Sequence, residues 1–298
     1  MCKREGISLR LRGDTYAYET VDDSEVFFTI ESPQGFKFFY KQKCNSETLG
    51  YWTGLESQGR YVREAKDIDV KLSGHVFENH KIDDKIRNFI LKCRLQLLPC
   101  QSLLALYYPL VHNKKCQNCN FFSETASHVL NGCTRFKSMY QKRHNRVVDF
   151  IHTKIAHVNS NCDTHKDKVL KPSMFNSDVH SFLHTHTRPD IVVINHEDKS
   201  VKIIEISVPY DCHISLTYQE KFNKYFPLSQ EINELGYYTE IIVLLIGSMG
   251  SVHSKFVGGL RKCKITKREA KFLARYCSVS TCIGSFRVWR QRCSYLDG

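Results

Sequence analysis

The sequence predicts an α+β/α/β protein: a helical, cysteine-bearing module followed by a mixed-sheet core flanked by helices. Two observations predict this. Two helical segments with apolar stripes bracket a Cys/His cluster at 116–133, and β-branched runs at 190–195, 201–209 and 239–246 alternate with a long helical pattern. A third, compositional observation sets the class. The chain has 298 residues with 18 Phe and 15 Tyr against only 15 Gly and 7 Pro, which suits two or three packed domains and excludes collagen-like, disordered and mucin-like chains. No stretch approaches the roughly 20 apolar residues of a membrane span, and residues 1–14 lack the apolar run of a secretory signal. A soluble intracellular protein, nuclear or cytoplasmic and without a membrane partner, is expected.

The elements follow in order. Residues 1–60 read as β-rich and polar, with 25–30 and 36–41 flanking Ser32-Pro33-Gln34-Gly35 as in a hairpin. Thr20-Val21-Asp22-Asp23 lacks flanking apolar strands and reads as a turn. Residues 82–98 place Ile82, Ile86, Phe89, Ile90, Leu91, Leu95 and Leu98 at helical spacing, with Asp83 and Asp84 in the first turn. A second amphipathic helix spans 136–157, with Val147, Val148, Phe150, Ile151 and Ile155 along it. The polar, turn-rich stretch 158–188 reads as a linker or lid, and His184 and His186 read as linker residues. Strands at 190–195 and 201–209, a helix at 214–235, a strand at 239–246 and a long basic helix at about 267–290 complete the chain. Pro227 is expected to kink the helix at Phe226. The resulting domain limits are 1–80, 81–160 and 161–298.

Charge and cysteine usage narrow the class. The net charge is +12, and the last 48 residues hold 11 Lys/Arg against 2 Asp/Glu, so +9 of it lies there. That segment is either a solvated helix face or a surface for a polyanion such as nucleic acid. Thirteen cysteines, odd in number and dispersed, suit a reducing compartment rather than a disulfide scaffold.

One cluster stands apart. Cys116-x2-Cys119-x8-His128-x4-Cys133 supplies three thiolates and an imidazole within 18 residues, with Gly132 available for the turn before the last ligand. Four N/S ligands without a carboxylate describe a structural, tetrahedral Zn²⁺ site rather than a catalytic one. Phe121 and Phe122 beside it serve either as its small core or as a surface for stacked bases.

A second constellation lies in the strands. If 190–195 and 201–209 form a hairpin turning at Glu197-Asp198, residues whose numbers sum to 395 face each other, which sets Asp190 opposite Glu205. Directly opposed residues have Cβ atoms about 4.5–5.5 Å apart. Two like charges so placed repel, but they suit a shared divalent cation such as Mg²⁺ or Mn²⁺. Asp211 is either a further ligand of that cation or a cap of the next helix. Lys221 and Lys224 on that helix are candidates for the cation that hydrolysis of a phosphodiester requires near the developing charge.

These residues resemble the PD-(D/E)xK restriction-endonuclease-like fold. More specifically, their order resembles the C-terminal region of non-LTR retrotransposon polyproteins of the restriction-like-endonuclease type. The matching features are the Cys-Cys-His-Cys knuckle, Tyr140-x2-Arg143-His144-Asn145, Arg188-Pro189-Asp190, Glu205 with Val208-Pro209-Tyr210-Asp211, Lys224-Tyr225 and the strand ending Leu244-Leu245-Ile246-Gly247. The resemblance covers residues 80–298. It implies that Asp190 and Glu205 bind the catalytic metal, and that Lys221 or Lys224 takes the nuclease lysine's role with Tyr225 beside it. Ser207 stands where the plain pattern has its lysine. The implied activity is a metal-dependent DNA endonuclease that nicks target DNA for target-primed reverse transcription. Its partners would be the DNA target, element RNA and an upstream reverse transcriptase domain that this chain lacks. The alternative is a catalytically inactive, zinc-containing nucleic-acid-binding remnant or captured copy.

Overall fold

An apolar strand buried at every position needs cover on both faces, and two strands of this chain meet that condition. A computed structural model describes residues 8–12, 15–19, 45–175 and 187–294. All five residues of β4 (Ile191–Asn195) are buried, as are five of the eight in β5 (Ser200–Ser207). They pair antiparallel with Ile191 opposite Ile204 and Ile194 opposite Val201, the register that sums to 395. β6 (Tyr238–Leu245) adds parallel to β5, and β3 (Asp163–Lys166) adds antiparallel to β4, so the sheet order is β3-β4-β5-β6.

Alternation along the strands splits the apolar residues between two faces. Val192, Ile194, Val201 and Ile203 pack against Tyr225, Leu228 and Ile232 of α7 (Ile214–Glu234). Ile191, Val193, Ile204 and Ile206 pack against Val147, Val148, Ile151 and Ile155 of α6 (Lys137–Val158) and against Leu273, Ala274 and Cys277 of α9 (Lys267–Ser294). The short helix α8 (Phe256–Lys262) closes that layer with Phe256 and Leu260. Each such side chain contributes about 1.5–3 kcal/mol by leaving water.

A further core lies along the later turns of α9. Val288 and Trp289 meet Phe89, Ile90 and Cys93 of α4 (Asp84–Arg94), Val76 of α3 (Val70–Glu78), and Val129, Leu130 and Phe136 from the Cys/His segment. Tyr210, just past β5, is buried in the same cluster. α9 therefore runs from the sheet core into the core beneath the Cys/His segment.

Several expectations are met and several are corrected. The helices expected at 82–98, 136–157, 214–235 and 267–290 are α4, α6, α7 and α9, and the three expected strands are β4, β5 and β6. The stretch 158–188 is not only linker. It supplies edge strand β3, and its Leu170 and Phe175 are buried in the core under α7. α7 continues through Pro227, because residues 223 and 227 are both exposed and the carbonyl that loses its partner can turn to water. The chain forms two compact units, Met1–Leu55 and Glu56–Gly298, and the second holds both the Cys/His segment and the sheet. In the unit Met1–Leu55, β1 (Ser8–Arg12) pairs antiparallel with β2 (Thr15–Glu19), and residues 45–54 are helical where a β-rich region was expected. The hairpin expected at 25–41, Thr20-Val21-Asp22-Asp23, His184 and His186 lie outside the described residues. Among the described residues, no helix is long and apolar enough to cross a membrane.

Candidate functional site

The Cys/His segment folds back on itself before the long helix α6 begins. Cys116 N–H donates to the Phe121 carbonyl at 2.8 Å and Asn120 N–H to the Cys116 carbonyl at 2.8 Å, with Asn120 in the left-handed region at φ 59°. This tight turn brings Cys116 and Cys119 together. A single π-turn, His128–Gly132, then carries His128 and delivers Cys133, whose N–H donates to the His128 carbonyl at 2.7 Å. Gly132 has no positive φ, so the turn does not depend on glycine's freedom.

The ligand atoms of Cys116, Cys119, His128 and Cys133 all lie within 4.8 Å of one another. Tetrahedral zinc with Zn–S near 2.3 Å separates two sulfurs by about 3.8 Å, and Cys116 Sγ stands 3.9 Å from Cys133 Sγ. Cys119 Sγ is 3.3 Å from His128 Nε2. The four residues therefore form a site that could hold zinc, and among the described residues they are the one group of three or more His, Cys, Asp or Glu so arranged. The Phe121 ring stacks on His128 at 4.7 Å and 4°, and both Phe121 and Phe122 remain exposed, at 44% and 72%.

Four contacts fasten the segment to the rest of the molecule. Tyr140 Oη donates to the Val129 carbonyl at 2.5 Å and accepts from Cys133 N–H at 3.2 Å. Asn131 Nδ2 donates to the Val208 carbonyl at 2.7 Å. Glu124, between the second and third ligands, meets Arg292 of α9 at 2.7 Å in a fully buried ion pair. Gln96 Nε2 donates to Tyr210 Oη at 2.8 Å, which fixes the chain leaving β5 beneath α4.

The carboxylates gather where β4 begins and β5 ends. The ladder closes at Ile191–Ile204, one step inside Asp190 and Glu205. Glu205 is buried, on the face covered by α7. Its Oε1 accepts from Lys221 Nζ at 2.5 Å and its Oε2 from Tyr225 Oη at 2.6 Å. Lys224 Nζ donates to Tyr225 Oη at 2.9 Å and lies 4.5 Å over the Tyr225 ring. Burial and the Glu205 charge push the Tyr225 phenol well above its ordinary value, so it stays a proton donor. Asp190 is held through Oδ2, which accepts from Ile206 N–H at 2.7 Å, while Oδ1 carries no hydrogen bond among the described residues.

His144 joins this group, although sequence reading left it in a motif without a role. Its Nε2 lies 2.9 Å from the Ile206 carbonyl and 3.5 Å from Asp190 Oδ2. Burial opposes its charge, but Asp190 and the Ile206 carbonyl outweigh it and raise the imidazole to about 9. A signal was available. Tyr140, Arg143 and His144 occupy the first turns of the same stripe that continues as Val147, Val148, Ile151 and Ile155, so polar side chains stand where inward-facing ones are expected. Arg143 is buried and donates to Ser285 Oγ of α9 at 2.7 Å.

The expectation that Asp211 shares the cation with Asp190 and Glu205 is corrected. Asp211 is completely buried, and its two oxygens accept from Met249 N–H at 2.6 Å and Ser251 N–H at 3.0 Å. It has no partner in common with Asp190 or Glu205 and organises the 247–251 loop instead. A side chain at Gly247 would collide with its carboxylate, which accounts for the glycine after β6. Asp211 is not a helix cap either, since the cap residue of α7 is His213.

The structure brings together Asp190, Glu205, Lys221, Lys224 and Tyr225, and assembles Cys116, Cys119, His128 and Cys133 separately. Ser207 ends β5, and the lysine that meets Glu205 comes from α7. Compared with models of known protein families and with characterised proteins, the chain matches none.

Proposed function

We propose that this chain is a divalent-metal-dependent DNA endonuclease of the PD-(D/E)xK kind, resembling the C-terminal region of non-LTR retrotransposon polyproteins. It would nick target DNA so that the freed 3′ end primes reverse transcription by a polymerase domain carried upstream. The observation that carries this reading is the meeting of Asp190, Glu205 and Lys221 at one end of the β4–β5 pair, with Tyr225 locking Glu205.

The donor set suits a hard cation: two carboxylates, one with a free oxygen among the described residues. Asp190 and Glu205 would hold Mg²⁺ or Mn²⁺, which when bound supplies Lewis-acid polarisation of a phosphodiester and a more acidic water. The chain's own residues do the rest. Lys221 places a fixed positive charge within 2.5 Å of Glu205, where a phosphoryl group gaining negative charge would sit. Tyr225 and Lys224 fix the orientation of Glu205. His144 and the Ile206 amide fix that of Asp190 and leave its other oxygen free. The zinc module and the basic C-terminal helix would hold the DNA target and element RNA.

The test is cleavage of supercoiled plasmid by the zinc-loaded protein with Mg²⁺ or Mn²⁺, beside Lys221→Met and an Asp190→Ala, Glu205→Ala double variant. Nicking by the wild type, lost in the double variant and reduced by about 10²–10³ in Lys221→Met, is expected. A wild type that shifts DNA in a gel without cutting it refutes the nuclease and leaves the inactive binding protein.

A further inference from the structure

A groove runs between α6 and α9, apart from the Cys/His cluster and the carboxylates. Two adjoining clefts, of about 360 and 460 Å³, share Lys142 and Arg146 in their walls. Arg287 of α9 faces the first cleft, and Asn145, Phe150 and Tyr276 line the second. Lys142, Arg146 and Arg287 are exposed and have no acidic partner among the described residues. The one carboxylate in the lining, Asp149, is already paired with Lys166 at 2.7 Å. Three exposed cations without acidic partners give the groove a positive potential that favours an anion.

Aromatic surface lies in the same groove. Phe150 of α6 and Tyr276 of α9 stack at 3.8 Å and 26°, and Tyr276 stays 43% exposed. Phe272, one turn earlier on α9, is 59% exposed. Cations spaced along a groove with an aromatic platform beside them is the arrangement that binds unpaired nucleotides, phosphates on the cations and a base on the ring. The groove also adjoins the carboxylates. Asn145 Oδ1 lies 3.2 Å from His144 Nδ1, and the other nitrogen of that imidazole lies 3.5 Å from Asp190.

We infer that the α6–α9 groove binds a single strand of nucleic acid, with Lys142, Arg146 and Arg287 on consecutive phosphates and Tyr276 under a base. This rests on the nucleic-acid reading above and adds to it the surface and the form of the ligand: an unpaired strand running alongside the carboxylate site.

The experiment is fluorescence anisotropy of the full, zinc-loaded chain without Mg²⁺, titrated onto a labelled 20-nucleotide single strand and its duplex over a range of salt. The groove variant is Lys142→Ala, Arg146→Ala, Arg287→Ala. The control, Lys71→Ala, Lys85→Ala, Lys92→Ala, removes three exposed cations elsewhere. Each phosphate contact adds about 0.7 to the salt slope for a single strand. The groove variant should therefore show a slope shallower by about 2 and weaker binding by at least tenfold, and the control should match the wild type. Tyr276→Leu should weaken the single strand roughly tenfold and leave the slope unchanged. Arg287→Gln alone should carry about a third of the slope change, which keeps the test decisive if the triple variant folds poorly.

Equal losses in groove and control variants would overturn the inference, as would no loss in either. Preferential, groove-dependent binding of the duplex, or of phosphatidylserine vesicles over the oligonucleotide, would also overturn it. Run without Mg²⁺, the titration reads strand binding apart from any cutting. A chain that binds through the groove but never cuts thus separates failure of the nuclease from failure of the groove.

Discussion

Replacing Glu124 by alanine removes one half of an ion pair from which water is excluded. The two side chains are 0% and 4% exposed, and the charged atoms lie 2.7 Å apart. Loss of the carboxylate strands the Arg292 guanidinium over the face of Trp289, 4.9 Å from its ring centre. Removing one partner of a buried pair costs about 3–5 kcal/mol, since the surviving charge has neither water nor counter-ion. Glu124 Oε1 also accepts from Gln101 N–H at 3.0 Å, and that bond adds about 1 kcal/mol. For a unit of this size each kcal/mol lowers Tm by about 2–4 °C, so about 4–6 kcal/mol corresponds to a fall of roughly 8–24 °C. The assay is thermal unfolding followed by circular dichroism in excess zinc, so that metal loss is not what melts. A Glu124→Ala, Arg292→Met double variant should recover more than half of the loss, because no unpaired charge remains and the methionine can lie on Trp289. A drop below about 3 °C in the single variant, or a double variant worse than the two singles summed, would show that the pair does not fasten the Cys/His segment to α9.

Tyr225→Phe deletes the hydroxyl that holds Glu205 Oε2 at 2.6 Å while leaving Lys221 in place. It should cost about 1.5–3 kcal/mol in urea unfolding and slow plasmid nicking without weakening DNA binding; unchanged stability and rate would argue against a locked Glu205. Stability should fall as pH drops below about 6.5, because burial holds the His253 imidazole below its ordinary value in the folded chain. The unfolded state then takes up a proton that the native state resists, so stability rises again with pH through that window. His253→Phe, which retains the stack on Tyr218 at 4.6 Å, should lessen this acid sensitivity below about pH 6.5; an identical profile would assign it to other groups. Chelation or Cys119→Ser should remove one bound zinc per chain, measured by atomic emission. It should also lower Tm, because Val129, Leu130 and Phe136 of the metal segment are part of the core beneath α9; an unchanged Tm would mean that this core holds without the ion.

The sequence by itself determined whatever depends on the chain's own geometry. Helical spacing marks α4, α6 and α9 because 3.6 residues per turn bring every third or fourth side chain to one face. The β4–β5 register was legible because strand side chains alternate with period two and the turn at Glu197-Asp198 leaves a single alignment that keeps both apolar sets inward. The Cys/His cluster was legible because two thiols three positions apart are brought together by one tight turn without help from the rest of the fold.

Only the tertiary structure decided which distant faces meet. β3, with the polar sequence Asp-Thr-His-Lys, has no pattern of its own and is a strand because β4 offers it an edge. Lys221 and Lys224 lie less than one helical turn apart, and the rotation of α7 on the sheet sends the first to Glu205 and the second to Tyr225. Asp211 reads from sequence as either a further ligand or a helix cap, and in the structure it is neither, because the 247–251 loop supplies two amides to it. The Glu124–Arg292 pair spans 168 positions, and the approach of His144 to Asp190 requires α6 to cross the end of β5. Such pairings cannot be read from local spacing, because their energy arises only when packing removes water from both partners at once.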